Sequence, residues 1–253
     1  MTRLEASRRL LIAPVRWPFM GDTSLLLPLN SAEQHYLWRV LRLQKGETVA
    51  VVDGAGRLCY AYLKDREYLE LSRATVMFAR RPFPRLGLAV AVPRRGMDNL
   101  LRMICELGMD QFIPLQSVRR TPQAQERPVR WASILRESVE QCERLWLPDL
   151  HQGCDAASLW NKTPIVDRAA TFIATARCQG LDLFEADLAE LPPTLDQVWV
   201  AIGPEGGWDP DEQRAAEICG WRPTCLGKAI LRTDTAAVAA AHSLAVWRHN
   251  QDH

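Results

Sequence analysis

The fold class this sequence predicts is α/β, in two parts, and three observations carry it. Residues 198–202 are a short apolar run that ends in Gly203-Pro204-Glu205-Gly206-Gly207-Trp208, as a buried strand ends in a loop. Residues 86–92 are a second such run; the helical spacing of Leu100, Leu101, Ile104 and Leu107 follows, then a stop at Gly108 and a further apolar run at 111–115. Strand, helix, strand in that order points to a parallel sheet. Ahead of both, residues 48–52, 58–64 and 68–78 are rich in β-branched and aromatic side chains, with Asp53-Gly54 as a hairpin turn.

Taken in order, the front part opens with short strands at 10–12 and 24–27. Ser31 and Gln34 have capping-box spacing, which predicts a helix to about Leu43. With the three β-rich runs this makes a small β-barrel carrying one helix. Gly54-Ala55-Gly56 resembles half of a dinucleotide fingerprint, but no helical pattern follows it, so a hairpin is the better reading. Arg80-Arg81-Pro82-Phe83-Pro84-Arg85 breaks every periodicity and reads as a linker. The domains expected are therefore 1–80 and 81–253.

In the second part, residues 130–146 read as one long amphipathic helix. Trp131, Ile134, Leu135, Ser138, Cys142 and Leu145 form its apolar stripe. Glu137, Gln141 and Arg144 form a second stripe beside it, able to brace one another or reach a shared target. Ile165-Val166 and a loop at Asp167-Arg168 come next. Asp209 as N-cap, Pro210 at the first helical position and Glu212 at the third open a helix to Gly220. A strand at 224–226 then ends in Gly227, and Thr233 or Asp234 caps an alanine-rich helix to Trp247.

Composition excludes several classes. Over 253 residues, 47% hydrophobic and 24% charged is ordinary globular usage. The longest uncharged apolar run, 235–247, is too short to span a bilayer and contains His242, so the expectation is a cytoplasmic protein with no membrane partner. Seven cysteines without a C-x-x-C pair suggest reduced core residues rather than disulfides or zinc. No metal is expected: His249 and His253 read as a terminal tail. The net charge of +1 says little about nucleic acid, because local clusters bind phosphate. Such clusters lie in the first half at Arg8-Arg9, at Arg39, Arg42 and Lys45, at Arg80-Arg81 with Arg85, at Arg94-Arg95 and at Arg119-Arg120.

The chemistry concentrates in two loops. Gly203, Gly206 and Gly207 present bare backbone to a ligand. Pro204 has no N–H and Glu205 would repel an anion, so the ligand is uncharged or cationic rather than a phosphate. A tight turn before a capped helix is the plain alternative, but the arrangement recurs at Leu226-Gly227. GPEGGW followed by Leu226-Gly227-Lys228-Ala229-Ile230-Leu231-Arg232-Thr233-Asp234-Thr235-Ala236 resembles the double signature of the RsmE-type 16S rRNA uridine N3-methyltransferases of the SPOUT superfamily. Further segments agree: Arg8-Arg9-Leu10-Leu11-Ile12, the motif from His35 through Arg39, Arg42 and Lys45 to Glu47, and Glu137, Gln141, Arg144 and Pro148.

That resemblance implies a PUA-like RNA-binding barrel and a SPOUT domain whose deep trefoil knot encloses S-adenosylmethionine. It implies a homodimer acting on 16S rRNA within the small ribosomal subunit. Ile202, Gly203, Pro204, Glu205, Gly206, Gly207, Leu226, Gly227, Ile230, Leu231, Thr235 and Ala236 would hold the cofactor. Arg8, Arg9, Arg39, Arg42, Lys45, Arg119, Gln141 and Arg144 would meet RNA, the last two at the active site or in its support. Arg232 would stabilise charge on the uracil, since guanidinium is always ionised and planar. The N3 proton acceptor is open between Glu205, Asp234 and water. Three positions depart from the family's usual residues: Met103 and Ala229 replace a lysine and an arginine, and Asp234 a glutamate. The competing expectations are a SPOUT enzyme for another RNA and a non-catalytic RNA-binding assembly protein.

Overall fold

The structure is a computed structural model, and it describes residues 8–17, 25–72, 76–120, 125–161, 168–176 and 180–251. Ser24, Ile165, Val166, Asp167, Cys178 and His253, on which expectations fall, lie outside these. The chain divides into two compact units, Met1–Arg81 with Arg136–Leu147 and Pro82–Leu135 with Pro148–His253. Residues 136–147, expected in the second part, therefore group with the first unit.

In the first unit β1 (Arg9–Leu11), β2 (Leu26–Pro28), β3 (Thr48–Val52), β4 (Arg57–Leu63), β5 (Tyr68–Leu71) and β6 (Met77–Phe78) form one sheet. Its order is β1-β3-β4-β5-β2, with β6 also on β4. Among the described residues of this sheet, only β1 with β3 is parallel. The run expected at 68–78 is thus two strands. Alternate residues Val49 and Val51, Cys59, Ala61 and Leu63, and Leu69 and Leu71 face one core, closed by Leu37.

The first helix departs from its expected bounds at both ends. In α1 (Ser31–His35) the cap is Asn30 rather than Ser31. Asn30 Oδ1 accepts from Glu33 N at 2.9 Å while Glu33 Oε2 accepts from Asn30 N at 2.9 Å, a reciprocal box one residue earlier than the spacing suggests. The helix then widens into a π turn over Tyr36–Val40, and Arg42 follows in the left-handed region at φ 54°. A regular helix to Leu43 is excluded.

Segment 136–147 fastens the exposed edge of this sheet. Glu140 Oε1 accepts from Leu11 N at 2.8 Å and Arg136 donates to Leu11 O at 2.8 Å. Two side chains one helical turn apart thus satisfy the donor and acceptor that edge strand β1 turns away from β3. Burial pushes the Glu140 carboxyl up to about 7 from 4.5, with Glu137 and Glu33 adding to the shift against the Leu11 N–H and Arg136. A carboxyl whose folded value is raised contributes stability that is full below the unfolded value and lost as pH rises through the folded one. Thermal melting of the first unit is therefore expected to weaken between pH 4.5 and about 7. Glu140→Gln, which keeps the acceptor, should flatten that component, and an unchanged pH profile would refute the assignment.

The second unit carries β7 (Arg85–Ala91), α2 (Met97–Glu106), β8 (Gln111–Gln116), the start of α3 (Pro128–Gln141), β9 (Asp149–Leu150), β10 (Cys154–Asp155), α4 (Ala156–Asn161) and β11 (Ala169–Ala174). After these come α5 (Phe184–Ala189), β12 (Gln197–Ile202), α6 (Pro210–Ile218), β13 (Arg222–Thr224) and α7 (Thr233–Gln251). The strand order is β10-β8-β7-β12-β11-β13, with β9 beside β8, and every pair is parallel. All six residues of β12 are buried, as a strand covered on both faces requires.

α3 ends at Gln141 rather than near Trp146, and Glu143 is left-handed at φ 62°. Arg144 therefore lies beyond the helix and does not continue the stripe of Glu137 and Gln141. On one face of the sheet α7 packs on β7 and β12, with α2 and α5 against it. On the other, Trp160, Trp199, Trp208 and Trp221 join one core. Gly87 is required there, because a Cβ would stand 2.4 Å from the Trp199 ring. Of the cysteines, Cys59, Cys105, Cys142, Cys154 and Cys219 are free, but Cys225 is disulfide-bonded, which corrects the expectation of reduced thiols throughout. Among the described residues no helix is long and apolar enough to cross a membrane.

Candidate active site

The chain leaves β7 toward β8 on one side, and later strands fill the other side as β12, β11 and β13. The order therefore changes direction between β7 and β12. Ligands of open parallel sheets bind outside the carboxyl ends at such a point, and the 203–208 loop leaves the carboxyl end of β12. This loop is built to a fixed shape. Gly207 N donates to Pro204 O at 2.8 Å, and Gly207 sits at φ 71°, where a side chain would be strained. Trp208 is the loop's anchor: its ring is buried and its Nε1 donates to Ala174 O at 2.9 Å, at the carboxyl end of β11. Gly203 is small for the same reason, since a Cβ would stand 3.0 Å from that ring.

Asp209 caps α6 as its sequence implies, with Oδ1 accepting from Asp211 N at 3.0 Å and Glu212 Oε2 accepting from Asp209 N at 3.2 Å. Glu212 has a second task that the capping pattern conceals. It accepts from Ser117 Oγ at 2.9 Å and from Val118 N at 2.8 Å, tying the loop after β8 to the start of α6. Arg119 adds an ion pair to Asp209 at 3.3 Å. This lays Arg119 beside Gly206, where an added Cβ would meet it at 3.5 Å, an ordinary contact. Arg119, expected at RNA, is thus spent partly on Asp209.

The second loop runs from Cys225 to Arg232. Gly227 adopts φ 141°, with open space where a Cβ would be. Thr233 Oγ1 donates to Gly203 O at 3.0 Å, which joins the two loops directly. α7 begins here, with Ala236 N donating to Arg232 O at 2.8 Å. Asp234 Oδ1 accepts from Thr235 N at 2.8 Å, so this carboxylate is already engaged at the start of its own helix. Arg232 and Glu205 are exposed, and among the described residues neither side chain makes a hydrogen bond or ion pair. Ile230 is 78% exposed, an apolar side chain left at the mouth of the loop. Ile202, Leu226, Leu231, Thr235 and Ala236 surround these positions in sequence, Ile202 and Ala236 being buried.

The RNA candidates divide. Arg8, Arg39, Arg42 and Lys45 are exposed on the first unit, as is Gln141. Arg9 is largely buried, its guanidinium donating to Glu143 O at 2.8 Å and pairing with Glu143 Oε2 at 3.1 Å, so it holds segment 136–147 rather than standing open to phosphate. Gln141 and Arg144 belong to the first unit, and all the loop residues named above belong to the second. Among the described residues no group of three metal-ligating side chains converges.

A parallel switch-point domain with two joined glycine loops, preceded by a small mixed β-sheet unit, defines a ligand-binding α/β class. An RNA methyltransferase domain matches residues 80–245, and an RNA methyltransferase PUA domain matches residues 29–71. The chain is 34% identical over 216 residues to ribosomal RNA small subunit methyltransferase E of Synechocystis, covering 84% of this chain and 70% of that one. It is 27% identical over 250 residues to the protein of that name from Mycobacterium bovis, covering 92% and 91%. The crystal structure of ribosomal RNA small subunit methyltransferase E from Neisseria gonorrhoeae, bound to S-adenosyl methionine, shares the fold with TM-score 0.78 at 23% identity, over 94% of this chain and 96% of that one. The chain belongs to the RNA methyltransferase family, in its ribosomal RNA small subunit methyltransferase E group.

Proposed function

We propose that this chain transfers the methyl group of S-adenosylmethionine to N3 of a uridine in 16S rRNA, as a homodimer working on the small ribosomal subunit. The observation that carries the reading is the bond from Thr233 Oγ1 to Gly203 O, which makes one cradle of the two loops. The residues present fit the cofactor. Gly207 and Gly227 leave open space where a Cβ would stand, at backbone angles that favour glycine, so a ligand can lie against bare backbone there. The Gly203 loop has no lysine and Pro204 no N–H, so it lacks the donors of a phosphate cradle, which suits a cation. Ile202, Gly203, Pro204, Glu205, Gly206 and Gly207 would hold it from one side, and Leu226, Gly227, Ile230, Leu231, Thr235 and Ala236 from the other. A trefoil knot around these loops belongs to the same reading.

The bound cofactor supplies an already activated methyl group. What the chain must add is alignment of N3 with the S–CH3 bond, removal of the N3 proton and stabilisation of the charge left on the uracil oxygens. Arg232 is suited to the last of these by its open guanidinium beside the cradle. Glu205 is the better proton acceptor of the two carboxylates, because Asp234 already accepts from its own helix. The barrel unit, with Arg8, Arg39, Arg42 and Lys45 exposed, would bind the rRNA backbone.

Titration of the purified chain with S-adenosylmethionine tests the reading, and absence of binding would leave only an RNA-binding protein. Gly206→Val refines it. Because a Cβ at Gly206 meets Arg119 at an ordinary 3.5 Å, the variant is expected to fold. Its branched side chain should nevertheless abolish cofactor binding, and wild-type affinity would reduce the loop to a turn.

A further inference from the structure

A cavity of about 400 Å³ opens at the carboxyl end of β7, lined by residues 92–99, Gln125, Arg127 and Trp131. None of these residues belongs to the loops that cradle the cofactor. Its position is set by the sheet. β7 lies between β8 and β12, with Val90 opposite Ile202, so the 92–96 turn leaves the sheet next to the Gly203 loop. Val92 N donates to Leu115 O at 3.1 Å, which fixes the start of that turn.

The lining carries three guanidiniums, Arg94, Arg95 and Arg127, all exposed. Among the described residues none of the three side chains has a hydrogen-bond or ion-pair partner. The acid on the wall, Asp98, is matched by Arg130, which pairs with it at 2.6 Å. The cavity therefore has a net positive charge that the protein does not balance. At its floor α2 starts from Gly96 at φ 89° without a side-chain cap, so the first N–H groups of a ten-residue helix face the same opening. Trp131, 1% exposed, closes the apolar back and is not available to stack on a base.

We infer that this cavity is a second RNA site, on the methyltransferase unit itself, that grips a backbone phosphate of the substrate strand next to the nucleotide being methylated. The inference rests on the proposed function. Unpaired arginines with free helix amides are a phosphate-binding set, and the neighbouring Gly203 loop supplies none of those donors. A site of this kind would hold the strand in register with the reacting uridine.

The test uses the full chain, in vitro transcribed 16S rRNA as probe, and the double variant Arg94→Ala with Arg127→Ala. Loss of the phosphate gripped there should flatten the slope of log affinity against log salt by about 0.7, the contribution of one phosphate on a single strand. S-adenosylmethionine affinity and the melting temperature should stay at wild-type values, since both arginines are exposed and unpaired. The lysine pair, Arg94→Lys with Arg127→Lys, should keep the slope. An unchanged slope in the alanine pair overturns the inference while leaving the methyltransferase reading intact. Weakened cofactor binding in that pair also overturns it, and assigns the cavity to the cofactor's carboxylate. A wild-type chain that binds rRNA but not S-adenosylmethionine removes the proposed function, and the inference with it.

Discussion

Arg232→Ala is expected to slow single-turnover methylation of 16S rRNA by about 100-fold, the usual cost of removing one donor aimed at developing charge. Cofactor affinity should hardly change. The expectation rests on three features of this residue. Its carbonyl accepts from Ala236 N at 2.8 Å, which fixes its backbone at the start of α7. The next residue, Thr233, bonds Gly203 of the other loop at 3.0 Å, which fixes it against the cradle. Its side chain is exposed and, among the described residues, engaged with nothing, so alanine removes no structural bond. Arg232→Lys should recover part of the rate by restoring charge without the planar fork. An alanine variant within about threefold of wild type would remove the role.

The loops that carry this prediction were legible because their information is local. A strand that stops at glycine and an Asp-Pro-x-Glu helix start are short-range patterns and appear where the sequence places them, whereas the strand expected at 224–226 is Arg222–Thr224, so the second loop opens earlier than expected. The bond between the loops was not legible, since Thr233 reads equally well as a helix cap. Trp208 likewise reads as the last residue of a ligand loop, and only the fold shows that it anchors the loop in the tryptophan core. The division of the chain was half legible. The proline-rich linker marks one crossing, but residues 136–147 join the first unit through Arg136, Glu140 and Glu143, whose partners lie 125 to 134 residues away. No periodicity encodes such pairs. Nor does it encode the end of α3, because Glu143 takes a left-handed angle usually left to glycine.

Arg248→Ala is expected to cost the second unit about 3–5 kcal/mol, because it removes one partner of a buried ion pair. Arg248 reads as a basic residue in a C-terminal tail. In the fold it is 11% exposed and lies in the last turns of α7, which runs on to Gln251 rather than stopping at Trp247. It pairs with Asp110, whose side chain is 1% exposed and which also accepts from Leu86 N at 3.0 Å. Its other nitrogen donates to Gly108 O at 2.9 Å. Alanine would leave Asp110 buried and charged without the Arg248 guanidinium. The melting temperature of this unit should then fall by roughly 10 °C, at about 2–4 °C per kcal/mol for a chain of this size. Adding Asp110→Asn to the alanine variant should recover much of the loss, because asparagine removes the charge and can still accept from Leu86 N. The pair sits at the amino ends of β7 and β8, away from the glycine loops, so cofactor affinity measured well below the melting point should match wild type. A melting temperature within about 2 °C of wild type would show that Asp110 does not depend on Arg248.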